Sequence, residues 1–574
     1  MKLTGAHILC QSLLKEGVEV IFGFPGGKLL TFYDTLPHYP ELRHILVRHE
    51  QGAAHAADGY ARATGKPGVC LATSGPGATN LVTGIANAHL DSVPMVAITG
   101  QVGRQELGKD AFQEADITGI TIPITKHNYL IMSAAEIARA VKEAFYLANT
   151  GRPGPVLLDI PVDVFAEKAE FTYPDKVSFP GYKPLLYGHP AQIKKAAKLI
   201  SEAQKPVIIA GRGVIISKAY AELKEFAEKQ QIPVITTLLG ISSFPETHIL
   251  SFGMVGMHGA AYANMAVSEA DLVIAIGMRF DDRATCRVSG FAPKARIIHI
   301  DIDPAEIGKN VRVDVPIVGD ARNILQAINK QLVPQLHTDW LHQLEYWKEQ
   351  HPSTTFVDCD GLMPQFIISK LYEVTKGDAI IVTGVGQNQM WAARNYWYDK
   401  PGSFISSGGL GTMGYELPAA IGAKVGRPDE TVWTICGDGG FQMTMHELAT
   451  AVQDNVAIKI AVLNNGYLGM VRQWQQLLYN KRYIATPLSC PDLVKIAEAY
   501  GMPGVRVTNK TQVVPVIERA MEHDGPFLID FRIEPEANIF PFVPPGASLT
   551  EFLEDPDLKK MTSNEIANLK MSNF

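Results

Sequence analysis

The stretch CGDGGFQMTMHELATAVQDNVAIKIAVLNN runs from Cys436 to Asn465 and decides how the chain is read. It opens with a carboxylate, Asp438, between glycines and closes on two asparagines, Asn464 and Asn465. Each cluster follows a short apolar run, TVWTI before the first and IKIAVL before the second. Such runs are predicted as buried parallel strands, with MHELATAVQD as the crossover helix between them. In an open parallel sheet, ligands bind beyond the carboxyl ends of the strands. If the two strands lie side by side, a carboxylate oxygen and an amide oxygen face one space. Hard oxygen ligands of this kind suit Mg²⁺, which takes few protein ligands and leaves positions for phosphate oxygens. Gly437 and Gly439 would let phosphates approach the backbone without a Cβ clash. Taken singly, GDG and NN are ordinary turn chemistry after a strand. Their pairing at two strand ends points to a metal.

The same alternation extends outward through VEVIFGF, PVLLDIP, KPVIIAGRG, DLVIAIG, RIIHIDI and AIIVTG, each followed by a longer amphipathic segment. The expected class is α/β, with three doubly wound parallel-sheet domains. A chain of 574 residues exceeds one core. A proline- and aromatic-rich linker, YPDKVSFPGYKPLLYGHP, and a polar helix with loop around 335–362 divide it. The predicted domains are 1–172, 190–335 and 360–540, followed by a tail, 541–574. The first and third are candidates for distant copies of one another. Apolar residues make up 46% and charged residues 19%, as in a well-buried enzyme. With a net charge of -7 and no basic stripe, nucleic acid is not an expected partner. No apolar run approaches the roughly 20 residues of a membrane span. The start, MKLTGAHILCQSLLKEGVEVIFGF, reads as helix then strand without a signal-peptide cleavage pattern, so a cytoplasmic protein is expected. Six scattered cysteines with no CxxC argue against structural zinc or a disulfide framework.

A GDG and an NN closing such a stretch resemble the diphosphate motif of thiamine-diphosphate enzymes. The resemblance implies that Asp438 and Asn465 hold Mg²⁺, with the backbone carbonyl of Tyr467 as a third ligand. Cofactor activation in that family needs a glutamate against the aminopyrimidine ring. ILVRHEQGAAHAADGYARATG offers Glu50, after a strand and at the start of a helix whose Ala53, Ala54, Ala57, Tyr60 and Ala61 would form one buried face. Alone, a glutamate there reads as a carboxylate favoured by the helix dipole. The resemblance makes it the activating acid of the partner subunit's site. GGLGTMGYELPAAIGAKVG supplies Gly411 and Met413, the apolar wedge between the cofactor's rings; GVGQNQMWAA supplies Val385, Gly386, Gln387 and Asn388 on the diphosphate side. The chain departs from the family pattern at Asn388 (more often histidine), Gly384 (aspartate) and Glu416 (glycine).

GFPGGKLL, SGPGATNLVTGIANAHLDSVPMVAITGQV, DAFQEADITGITIPITKHNYL, GMRFDDR, HIDIDPAEIGKN and VPPGASL are similar to acetohydroxyacid synthase, the catalytic subunit, over nearly the whole chain. That resemblance implies decarboxylation of pyruvate and ligation of the hydroxyethyl carbanion to a second 2-oxo acid, pyruvate or 2-oxobutyrate, in branched-chain amino-acid biosynthesis. It implies Gly27 as a backbone amide at the reaction centre, with Phe112, Gln113 and Lys126 lining it. Arg283 would anchor the acceptor carboxylate as a bidentate fork, and Trp474 with Met470 would favour 2-oxobutyrate. Lys109 stands where the family often has threonine. The middle domain resembles an FAD-binding domain, with Arg152, Gly211, Gly213, His258, Arg279, Asp301 and Asp320 on flavin positions. Gly211 would admit a dinucleotide close to the backbone. Asp301 reads either as a ribose or adenine acceptor at a strand end or as a helix cap. A homodimer or tetramer with interfacial active sites, and a small regulatory subunit, belong to the same expectation. SGPGATN lacks the GK[ST] ending of a phosphate loop. The rivals are a flavin-free catabolic acetolactate synthase, a pyruvate oxidase, a dinucleotide oxidoreductase and a catalytically inactive regulatory chain.

Overall fold

Runs of β-branched and apolar residues form three sheets, each of six parallel strands, in a computed structural model that describes residues 2–357 and 359–560. Of the expected tail, 561–574 lie outside the described residues. The first sheet orders its strands Arg43–Leu46, Val20–Gly23, Gly68–Ala72, Met95–Gln101, Pro155–Pro161, His127–Leu130. The second runs Ser251–Met254, Val234–Thr236, Pro206–Ala210, Leu272–Ile276, Arg296–Asp301, Val315–Val318. The third runs Phe404–Ser406, Ile380–Thr383, Val432–Gly437, Lys459–Asn464, Phe527–Arg532, Gly504–Val507. Central strands are buried on both faces, as sheets covered by crossover helices require. The expected doubly wound class is found in all three. No described helix is long and apolar enough to cross a membrane.

Strand order distinguishes the domains. Counted along the chain, the first and third sheets share the order 2-1-3-4-6-5, whereas the second has 3-2-1-4-5-6. The latter is the order of dinucleotide-binding sheets. In each sheet the winding reverses between two neighbouring strands, and the crevice beyond their carboxyl ends is where a ligand fits. The loops at these reversals are 24–28 with 73–76, 211–213 with 277–283, and 384–388 with 437–440.

Two expectations change. The helix Glu50–Thr64 buries almost every residue, not one face. Its other side meets the helix Glu416–Gly426 of the third domain at backbone distance: a Cβ at Gly59 would lie 2.0 Å from the Ala419 carbonyl oxygen, and one at Gly422 1.8 Å from that of Ala56. Glycine and alanine are what this approach permits. The crossover after Asp438 is three pieces, Asp438–Thr444, the 3-10 turn Met445–Glu447 and Leu448–Gln453. The turn directs Glu447 inward, where it is fully buried.

Candidate active site

The strands Val432–Gly437 and Lys459–Asn464 are adjacent, with Gly437 opposite Leu463. Asp438 and Asn465 therefore leave the sheet side by side. Asp438 Oδ2 accepts the Gly466 amide at 2.8 Å and Oδ1 its neighbour Gly439 at 3.1 Å. Burial nonetheless pushes its carboxyl up to about 6, against those amides. Asn465 Oδ1 accepts the Tyr467 amide at 3.0 Å. These residues line a small cavity with Val385, Gly386, Gln387, Asn388, Met413, Gly437 and Gly439. The terminal methyl of Met413 lies 3.5 Å from where a Gly439 Cβ would be. A carboxylate and an amide oxygen beside phosphate-accessible glycines fit Mg²⁺ and a diphosphate, and Tyr467 lines the same cavity. No group of three or more His, Cys, Asp or Glu offers another metal site among the described residues.

Glu50 begins its helix after the N-cap His49, whose Nδ1 accepts the Gln51 amide at 3.1 Å. Its Oε2 accepts from Asn80 Nδ2 at 2.9 Å, and its Oε1 lies 3.1 Å from where a Gly77 Cβ would be. Gly75 in the same loop faces Gln113, whose φ is +61°. SGPGATN is thus no phosphate loop; it holds Glu50 on one side and Gln113 on the other. Asn80 escaped the sequence reading, although its place in a loop already singled out was a signal. Gly27 is open, with nothing within 4 Å of its missing Cβ, and Phe112 is 84% exposed. Glu50 lines neither of the two described cavities.

A cavity of about 840 Å³ occupies the reversal of the second sheet. Arg152, Gly213, His258, Arg279, Arg283, Asp301 and Asp320 line it, and it extends to Val385, Gly386, Gly411, Met470 and Trp474 of the third domain. It contains buried polar atoms without partners: Arg212 Nε, His258 Nδ1 and Trp474 Nε1. Burial, with Arg394 and Arg283 nearby, lowers His258 to about 3, and burial raises Asp301 to about 7. Asp301 accepts the Asp303 amide at 2.9 Å and caps no helix; Asp320 does cap one, accepting the Asn323 amide at 3.1 Å. Arg152 reaches Glu306 at 2.6 Å. Arg283 is exposed, with its Nε 3.7 Å from Asp282.

Two expected positions fall elsewhere. Gly211 is not in the cavity wall: its missing side chain makes room for Gly277, whose carbonyl oxygen would lie 2.3 Å from a Cβ there. Lys126 is not brought to Glu50 or to either cavity. Its ammonium is held by the Leu147 carbonyl, the Thr150 carbonyl at 2.8 Å and the Tyr182 hydroxyl at 3.1 Å. A lysine at a helix C-terminus satisfies orphan carbonyls, and burial lowers it to about 8.

Comparison with known proteins agrees with this layout. Residues 3–120 match the thiamine pyrophosphate enzyme N-terminal TPP binding domain, 193–328 the central domain and 384–531 the C-terminal TPP binding domain. The chain thus carries the N-terminal, central and C-terminal domains of a thiamine pyrophosphate enzyme in that order. An acetolactate synthase of Mycobacterium leprae is 50% identical over 98% of this chain and 92% of its own length. The acetolactate synthase large subunit of Corynebacterium glutamicum is 52% identical over 95% and 89%, respectively. A probable large subunit of Methanocaldococcus jannaschii is 49% identical over 99% of both chains. The chain belongs to the acetolactate synthase family.

Proposed function

We propose that the chain is a catalytic subunit that decarboxylates pyruvate and joins the remaining two-carbon unit to a second 2-oxo acid, pyruvate or 2-oxobutyrate, in branched-chain amino-acid biosynthesis. The observation that carries this reading is the pairing of Asp438 with Asn465 at adjacent strand tips, in a chain about half identical to acetolactate synthases along its length. When bound, thiamine diphosphate would supply a nucleophilic carbon and an electron sink for the pair left on the two-carbon unit as CO₂ departs. Asp438, Asn465 and the Tyr467 carbonyl would hold the Mg²⁺ that grips the diphosphate, with Val385–Asn388 and Gly437–Gly439 as the backbone cradle. Met413 would separate the cofactor's rings. Glu50, steadied by Asn80, would exchange a proton with a ring nitrogen; Gly27 and Gln113 lie on its side of the site. Arg283 would bind the acceptor carboxylate, with Trp474 and Met470 shaping the space for its alkyl group.

Glu50 lines neither the Asp438 cavity nor the large one, and a second copy would complete the site. Exposed apolar side chains on both domains, Phe112 and Ile122 on the first and Met443 and Ile484 on the third, support that pairing. The chain then works as a homodimer or tetramer in the cytoplasm, with a small regulatory subunit as its further partner. FAD fits the middle cavity by strand order, volume and the unpartnered Arg212 and His258 atoms. The reaction needs no flavin redox step, so the flavin's role would be structural. Purified chain with pyruvate, Mg²⁺ and thiamine diphosphate, with and without FAD, should yield acetolactate. Electron transfer from pyruvate to an artificial acceptor at a rate matching carboligation would replace this reading with a pyruvate oxidase.

A further inference from the structure

The carboxyl of Glu416 is buried next to the small cavity without lining it. It enters from the first turn of the helix Glu416–Gly426, is 0% exposed, and neither oxygen has a hydrogen-bond partner. Burial raises it to about 7, opposed by the nearby amides of Glu416 itself and Gly414. Two glycines make room for it. A Cβ at Gly384 would lie 2.6 Å from Glu416 Cδ, and one at Gly440 2.3 Å from its Oε1. Gly384 precedes the loop Val385–Asn388; Gly440 follows Asp438 and Gly439; Gly414 follows Met413. The carboxyl therefore lies behind the small cavity, where the segments 384–388, 413–414 and 438–440 come together. Gly384, Gly414 and Gly440 bring no side chain to that junction, so Glu416 supplies what spaces it.

We propose that Glu416 is a positioning residue for thiamine diphosphate: its side chain spaces the three cofactor loops, and it forms one unit with Gly384, whose absent side chain it replaces. An aspartate built at position 384 would put its carboxyl into the space Glu416 now fills. Gly384 and Glu416 thus meet at one point in space, and the carboxyl at this junction comes from the helix rather than from the strand end. The inference rests on the proposed function, because the loops it spaces are assigned there.

The test is titration of Mg²⁺ and thiamine diphosphate into the purified full-length protein, freed of cofactor, by calorimetry, alongside the thermal midpoint of the cofactor-free form. Glu416→Gly should weaken cofactor binding by about tenfold or more, since small displacements of a positioning group are costly. Glu416→Gln, which keeps shape and polarity, should bind within about threefold of the parent. Gly384→Asp should bind poorly or fail to fold, through collision with Glu416. The double variant Gly384→Asp/Glu416→Gly should recover affinity to within about threefold, a strongly non-additive cycle. Parent-like binding by Glu416→Gly overturns the proposal, as does a double variant that binds no better than the weaker single variant or does not fold. A lowered thermal midpoint in Glu416→Gly with unchanged affinity assigns the residue to packing alone and also overturns it. The parent protein runs in the same titration: if it binds no thiamine diphosphate, the proposed function fails first and this inference with it.

Discussion

The carboxylate of Glu447 accepts the backbone amides of Arg48 and His49, each at 3.1 Å, the two residues directly before Glu50. It also accepts from Thr450 Oγ1 at 2.6 Å, and a Cβ at Gly52 would lie 2.2 Å from its Oε1. A residue of the third domain thus holds the backbone that leads into the helix starting with the proposed activating acid. Glu447→Ala would leave two part-buried amides without their acceptor, a loss of about 1–3 kcal/mol in all. Chemical denaturation should show a destabilisation of that order, and turnover at saturating cofactor should fall with it. Unchanged stability would mean that this contact carries no weight.

A second clamp joins the same domains. Arg62 is buried between Asp58 at 2.6 Å and Asp91 at 2.7 Å, and donates to the Ser406 carbonyl at 2.9 Å. Asp91 in turn accepts the amide of Gly408 at 3.0 Å, and Tyr415 donates to Asp58 at 2.6 Å. Arg62→Met leaves two carboxylates without their cation and should destabilise by about 3–5 kcal/mol. A variant melting within a degree of the parent would contradict this.

Asp159 supplies a pH dependence. Burial raises its carboxyl to about 7, although Thr99 and Gln101 donate to it at 2.7 and 2.9 Å. The unfolded chain holds that proton only below the ordinary aspartate value near 3.9. Folding therefore takes up a proton between about pH 4 and 7, and the stabilisation present below that window is lost as pH rises through it. Asp159→Asn should flatten this decline in thermal unfolding measured across the window. A variant with the parent's slope would place the titration elsewhere.

Acceptor choice should follow Trp474, which lines the large cavity with Arg283 and Met470. 2-Oxobutyrate differs from pyruvate by one methylene, and such a difference is worth about 1–3 kcal/mol in a fitted apolar pocket. Trp474→Leu should lower the ratio of 2-aceto-2-hydroxybutyrate to acetolactate from mixed substrates by about tenfold. An unaltered ratio would remove Trp474 from selection.

Much of this was legible in the chain. Runs such as IKIAVL are apolar on both faces, so strands and their covering helices follow from composition alone, and Asp438 and Asn465 fall at strand tips by counting. What the sequence hides is which distant loops touch. Glu447 meets Arg48, and Glu416 fills the gap at Gly384, through packing that no local pattern encodes. Glu447 looked like part of a continuous crossover because its helical pattern persists; the break at Met445–Glu447 arises from that tertiary contact. Gly211 looked like a ligand-facing glycine, yet the backbone it admits is the chain's own at Gly277. Lys126 reads by resemblance as a residue lining the reaction centre, yet helix-end carbonyls hold it.

The central claim is that Glu50 of one copy faces the cavity floored by Asp438 and Asn465 of another. Co-expression of a Glu50→Gln chain with an Asp438→Ala chain, under different tags, isolates the mixed dimer. Two-fold pairing gives that dimer one site with both changes and one with neither, so acetolactate formation should return to about half the parent rate. Activity no higher than that of the two inactive parents would place both residues in one chain's site and contradict the account.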